Sequence, residues 1–180
     1  MTGYVALLRG INLGKRSVKM DSLRKLFEDM GYENVRTLQA AGNVIFHTSS
    51  KDTKKLRSAI EAQIAETFGF RSDVVVRSAA DIAALVKAAP FKKVKAAEGV
   101  RMHITFLNDG AKGTKKLPYS DPEGSFVVQA ATASHLACVV YPKASSLDLM
   151  DFLGKEYGDE ATTRTWNTVQ KINDLLNEPA

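Results

Sequence analysis

The order of apolar runs in the first eighty residues constrains the fold more than any other feature. Tyr4-Val5-Ala6-Leu7-Leu8 is a short, uncharged, β-prone run. From Met20, the residues Leu23, Leu26, Phe27 and Met30 recur at helical spacing, and Gly31 supplies a stop. Val35-Arg36-Thr37-Leu38-Gln39 and Val44-Ile45-Phe46-His47-Thr48 predict two strands, joined through the tight connection Ala41-Gly42-Asn43. Leu56, Ile60, Ile64 and Phe68 mark a second helix ending at Gly69, and Asp73-Val74-Val75-Val76-Arg77 predicts a fourth strand. The order β-α-β-β-α-β is that of a ferredoxin-like split βαβ unit. In such a sheet the first and third strands are antiparallel neighbours. The segment after Leu8 is thereby expected beside the hairpin 41–43.

Beyond it, Ser78-Ala79-Ala80-Asp81 fits a capping box and opens a third helix carrying Ile82, Leu85, Val86 and Ala89, which Pro90 stops. Residues 91–100 are basic, small and weakly patterned. They set the expected boundary between a ferredoxin-like subdomain, 1–92, and a second α+β subdomain, 93–180. Strands are expected near 101–107, 125–130 and 135–141, with an exposed loop over 108–124. Two helices close the chain, one from near Ser145 and one from near Thr165, the latter with Trp166, Val169, Ile172 and Leu176 as its apolar stripe. A weak duplication of the two α+β halves is compatible with this order.

The segment Arg9-Gly10-Ile11-Asn12-Leu13-Gly14-Lys15-Arg16-Ser17-Val18-Lys19 lies between the first strand and the first helix. It holds four basic residues, no acid and two glycines. Free backbone N–H groups and the positive end of a helix dipole there would face the same way, which suits an anion. The topology brings Asn43 to the same sheet edge as Asn12. A plainer role competes with this one, because turn asparagines commonly serve their own backbone and arginines at strand ends are commonly solvated or paired. At the other end of the chain, Arg164 and Asn167 fall at or near the first turn of the last helix. A cation is mildly unfavourable at that position, which suggests a partner or a task for Arg164.

Charge supports a ligand site only weakly. The net charge is +5 with a pI near 9.3. The excess lies in residues 1–90, with 14 Lys and Arg against 9 Asp and Glu. The clusters Lys92-Lys93-Val94-Lys95 and Lys112-Gly113-Thr114-Lys115-Lys116 read most simply as solvated loops. Nucleic acid is compatible with such a chain but not singled out by it.

Several chemistries lack their residues. A phosphate-binding P-loop needs four residues between its glycines and Ser or Thr after the Lys. Here three separate Gly10 from Gly14, and Arg16 follows Lys15. His47, His103 and His135 form no i, i+4 pair and have no cysteine beside them, so neither a metal set nor a cofactor motif is expected. No Gly-x-Ser-x-Gly elbow is present. The RNA-recognition use of such a sheet needs exposed aromatics on the central strands, where Tyr4 and Phe46 stand without that module's wider spacing. Cys138, the single cysteine, sits in an apolar run and reads as a buried, inert thiol. No apolar run approaches a membrane span, and the N-terminal one is too short for a signal-peptide core. The expected location is the cytoplasm, with no membrane partner.

Leu8-Arg9-Gly10-Ile11-Asn12-Leu13-Gly14, Val18-Lys19-Met20, Gly42-Asn43-Val44-Ile45-Phe46 and Ala161-Thr162-Thr163-Arg164-Thr165-Trp166-Asn167-Thr168-Val169 together resemble the bacterial family called domain of unknown function 1697. This chain has Lys15 where the family usually has a second glycine, Ala41 where it has Ser, and Thr165 where it has Asn. The resemblance implies a two-part α+β protein, ferredoxin-like in its first half, and carries no activity with it.

The expected function is a binding module for a phosphate-bearing or other anionic ligand. Its cleft would be formed by residues 9–19, 41–43 and 162–167, with Arg9, Gly10, Asn12, Gly14, Lys15, Lys19, Asn43, Arg164 and Asn167 as candidate ligand-binding residues. An enzyme using the same cleft, and a nucleic-acid-binding or protein-interaction scaffold, are the alternatives.

Overall fold

The computed structural model describes every residue except Lys15, Gln39, Ala40, Lys143, Pro179 and Ala180, and leaves out the side chains of Ala130 and Ala131. The chain divides into two compact units, Met1–Ala84 with Lys171–Ala180, and Leu85–Gln170. The first therefore ends earlier than the expected limit at 92, and takes back the last ten residues of the chain.

The first unit contains β1 (Thr2–Leu8), α1 (Met20–Asp29), β2 (Glu33–Leu38), β3 (Asn43–Thr48), α2 (Thr53–Phe68) and β4 (Val74–Ser78). Its sheet runs β2-β3-β1-β4, with every pair antiparallel. This is the ferredoxin-like order. Residue Gln39, expected at the end of β2, lies outside the described residues. The expected pairing of strands 4–8 and 44–48 is present, with Tyr4 opposite Phe46 and Leu7 opposite Asn43.

Alternation decides what each side chain buries. Tyr4, Ala6, Leu8, Val44, Phe46, Val74 and Val76 share one core with Leu23, Leu26 and Phe27 of α1 and Leu56, Ile60 and Ile64 of α2. The intervening Val5, Leu7, Ile45 and Val75 are buried as well. Strand β1 thus buries both faces, which explains why its sequence is a continuous apolar run rather than an alternating one. On the second face Leu176 reaches Gly3, with its Cδ2 3.4 Å from the place a Cβ would occupy there. Arg36 ties the same closing segment down, donating to Leu175 O and to Glu178 Oε2.

Local chemistry fixes the element ends. Asp52 caps α2 by accepting from the Lys55 amide at 3.0 Å, and Gly69 closes it in the left-handed region at φ 73°. The expected capping box exists: the Ser78 amide donates to Asp81 Oδ2 and the Asp81 amide donates to Ser78 Oγ. It opens α3 (Ala79–Ala88).

The second unit contains β5 (Arg101–Leu107), the short β6 (Tyr119–Ser120), β7 (Phe126–Ala131), β8 (His135–Val140), α4 (Ser146–Tyr157), a 3-10 turn (Gly158–Glu160), β9 (Ala161–Thr165) and the start of α5 (Trp166–Asn177). Its sheet runs β6-β7-β8-β5-β9. Without β6, the order β7-β8-β5-β9 repeats that of the first unit. A loop and β6 stand where the first unit has α1, so the second unit repeats the strand order of the first but not all of its helices. Strand β9 corrects the expectation of two helices alone at the end of the chain. It pairs antiparallel with β5, Ile104 opposite Arg164, and Arg164 is therefore a strand residue rather than part of a helix turn.

Cys138 lies fully buried on β8, with the Thr105 hydroxyl 3.9 Å from its sulfur. Burial pushes its thiol up to about 12 against a small opposing pull from Thr105. Because thiolate is the reactive form, a water-soluble disulfide reagent should label Cys138 only after unfolding. Stoichiometric labelling of the native protein within minutes at neutral pH would contradict this burial.

Candidate anion-binding loop

Hydrogen bonds among the described residues hold the base of the segment between β1 and α1. The Leu8 amide donates to Gly42 O at 2.8 Å and the Arg9 amide to Asp73 O at 2.9 Å. The Ser72 hydroxyl donates to Arg9 O at 2.8 Å. Two apolar side chains, Ile11 and Val18, turn inward and join the core beneath α1 and α2. Between them the chain makes a narrow turn whose tip, Leu13, is 69% exposed.

Asn12 organises that turn. Its amide N–H donates to Arg16 O at 2.7 Å, and its side-chain Oδ1 accepts from the Val18 amide at 2.8 Å. Its backbone sits in the left-handed region at φ 57°, which asparagine tolerates better than most residues. Asn43 is fully buried, and its Nδ2 donates to Leu38 O at 2.9 Å. The Asn12 side chain thus serves the backbone of its own turn, and the Asn43 amide that of the β2–β3 connection.

The charged groups lie around this frame. Arg16 is exposed, with its guanidinium carbon 5.9 Å from the centre of the Phe70 ring, within cation–π range. It also runs close over Gly10, where a Cβ would stand 3.1 Å from Arg16 Nη1. Arg9 is half-buried beside the clamp, and Gly14 is exposed. Lys19 is exposed and precedes α1 as its N-cap, without a side-chain capping bond. Asp21 is the acid in the first turn of α1, and it faces Arg24 at 3.5 Å. Lys15 lies outside the described residues.

Ser72 and Asp73, the two clamp residues, also line a cavity of about 290 Å³ between α2 and the start of β4, with Ser58, Glu61 and Arg71 around it. Neither the clamp nor Phe70 stands out in the sequence. They lie more than fifty residues from Arg9 and Arg16, and only the position of β4 beside β1 brings them there.

Arg164 and Asn167 belong to the second unit. Arg164 is 9% exposed and donates from Nη1 to Thr162 Oγ1 at 2.9 Å and to Thr163 O at 2.8 Å. Burial lowers its guanidinium to about 10. Asn167 is exposed in the first turn of α5, where the Thr165 hydroxyl accepts from the Thr168 amide at 3.3 Å. Trp166 is half-buried and meets Phe91 edge-on at 5.4 Å.

The remaining chemistry is sparse. Tyr4 and Phe46 are buried beneath the helices and offer no base-stacking platform. His103 is buried, and burial followed by the nearby Arg101 charge lowers its imidazole below the usual value. Among the described residues, no three His, Cys, Asp or Glu side chains come together to hold a metal ion. No helix among them is long and apolar enough to cross a membrane.

Comparison with known proteins agrees with this architecture. The conserved bacterial protein SP0830 from Streptococcus pneumoniae is 20% identical, with a TM-score of 0.71 over 98% of this chain and 99% of that one. At that identity the likeness is one of fold. No curated protein matches the sequence. The family model described as "Protein of unknown function (DUF1697)" matches residues 1–127, which include β1, the basic loop, the β2–β3 hairpin and β5. The chain belongs to the DUF1697 family.

Proposed function

We propose that the protein is a binding module for a phosphate-bearing or other anionic ligand, received by the segment Arg9–Lys19 and the N-terminus of α1. The observation that carries this reading is an uncapped helix start approached by a shaped basic turn. Lys19 leaves the first N–H groups of α1 without a side-chain cap, and such groups at the positive end of a helix favour an anion. The turn before them is set by Asn12 and clamped by Ser72 and Asp73, so little ordering would remain to oppose binding. Arg9, Arg16 and Lys19 supply charge. Asn12 and Asn43 act in this reading as positioning residues.

An enzyme using the same site would need a nucleophile or a proton-transfer group facing the ligand. The described part of the segment offers cations, amides and one hydroxyl, Ser17, which favours binding over turnover.

The test is a titration of the wild type, Arg9→Ala, Arg16→Ala and Lys19→Ala against nucleotides and short oligonucleotides at low and high salt. Charge-assisted hydrogen bonds contribute on the order of 1.5–3 kcal/mol, so each loss at a discrete phosphate site should weaken binding roughly ten- to a hundredfold. A polyanion held by diffuse charge would instead show small, similar losses at all three positions and a steep fall with salt. Absence of binding to every member of the panel at low salt would turn the account toward a scaffold.

A further inference from the structure

The loop Lys112-Gly113-Thr114-Lys115-Lys116 closes around a carboxylate. The Thr114 amide donates to Glu156 Oε2 at 2.6 Å and the Lys115 amide donates to the same oxygen at 3.1 Å. The Thr114 hydroxyl lies 3.1 Å from Oε1 and 3.0 Å from Oε2. Two successive backbone N–H groups and a hydroxyl converging on one acceptor make a concave anion site of the kind that holds phosphates elsewhere. Here the acceptor comes from the last turn of α4.

The loop is shaped for this close approach. A Cβ on Gly113 would stand 2.5 Å from the Tyr157 hydroxyl oxygen, so the backbone lies directly against that ring and a larger residue would have to displace it. Lys112, Lys115 and Lys116 are exposed. Three lysines thus fall within five residues of the loop, and the Lys115 charge acts on Glu156. Burial raises the Glu156 carboxyl, but the Lys115 and Thr114 amides, the Thr114 hydroxyl and the Lys115 charge outweigh it and hold the group below the usual carboxylate value.

We propose that residues 112–116 form a second anion site, for the phosphate group of a small molecule, whose place is held in the resting chain by the Glu156 carboxylate. A phosphate monoester carries close to two charges and three strong acceptor oxygens at neutral pH, against one charge and two oxygens for Glu156. It matches the lysines better and uses the same donors. The tethered carboxylate competes at an effective concentration in the millimolar range, so ligand binding and release of α4 from the loop are coupled. This site lies in the second unit and is independent of the Arg9–Lys19 segment.

The experiment reads the solvent-exchange rates of the Thr114 and Lys115 amide protons by NMR in wild type, Glu156→Gln and Glu156→Ala. Each is measured in chloride, in inorganic phosphate and in adenosine monophosphate at matched ionic strength. Expected is faster exchange at both amides in the variants in chloride, slowed back toward the wild-type rate by phosphate in a saturable way. Recovery with inorganic phosphate means the phosphate group alone suffices, and recovery with the nucleotide alone means the carrier contributes. Exchange that rises in the variants and is restored by neither ligand would overturn the proposal and leave Glu156 as a loop fastener. Exchange unchanged in both variants would overturn it as well, because the carboxylate would not then occupy the amides.

Discussion

Phe46→Ala should destabilise the protein by about 3–5 kcal/mol, the range for emptying a fully buried aromatic site. Phe46 is 0% exposed and is ringed by Phe27 at 5.4 Å, Tyr32 at 4.6 Å and Tyr4 at 5.8 Å between ring centres. Those partners come from α1, from the residue leading into β2, and from β1, so the cavity would sit where the helix layer meets the sheet. A loss of that size is a large fraction of the roughly 5–15 kcal/mol that a folded domain has in total. Urea denaturation followed by circular dichroism measures it. Leu147→Ala, at a residue 70% exposed, is the control and should stay within about 0.5 kcal/mol of the wild type. A cost for Phe46→Ala below about 1 kcal/mol would mean that this core is not packed as described.

Gly42→Ala should cost about 2–5 kcal/mol, for two separable reasons. The backbone there has φ 71°, where an L side chain costs roughly 1–2 kcal/mol. A new Cβ would also stand 2.9 Å from Leu8 Cβ and 3.3 Å from Ile11 Cβ, adding roughly 1–3 kcal/mol of overpacking. Gly69→Ala isolates the first cause. Its φ is 73° and nothing lies within 4 Å of the added atom, so it should show the conformational cost alone. Because Leu8 and Ile11 form the base of the basic turn, Gly42→Ala should weaken anion binding as well, whereas Gly69→Ala should not. Equal costs for the two substitutions would remove the steric part of the argument.

The first unit was legible in the sequence because its signals were local and mutually consistent. Helical spacing in α1 and α2, glycine after α2, the Ser78–Asp81 capping box and the Gly42-Asn43 turn each named their own structure, and the strand order followed from connectivity. Strand β9 was not legible. Ala161-Thr162-Thr163-Arg164-Thr165 has no apolar alternation, and only its pairing with β5 makes it a strand. The return of residues 171–180 to the first unit was hidden for a similar reason, since the apolar stripe of α5 states that it is buried but not against which sheet. In the candidate site, the sequence pointed to the basic turn, to Asn12 that shapes it and to Asn43 on the neighbouring strand. The Ser72–Asp73 clamp, the Phe70 ring beneath Arg16 and the Glu156 carboxylate within the 112–116 loop depend on contacts between distant segments, which no local pattern encodes.

The central claim is that the turn before α1 receives an anion, and amide-resolved NMR titration tests it most directly. Wild-type protein at low salt, titrated with inorganic phosphate and with a nucleoside monophosphate, should show saturable shifts concentrated in the amides of residues 10–22. Those shifts should weaken strongly in Arg16→Ala while the rest of the spectrum is preserved. Shifts absent from that segment, or unchanged by the loss of Arg16 and of Arg9, would contradict the account.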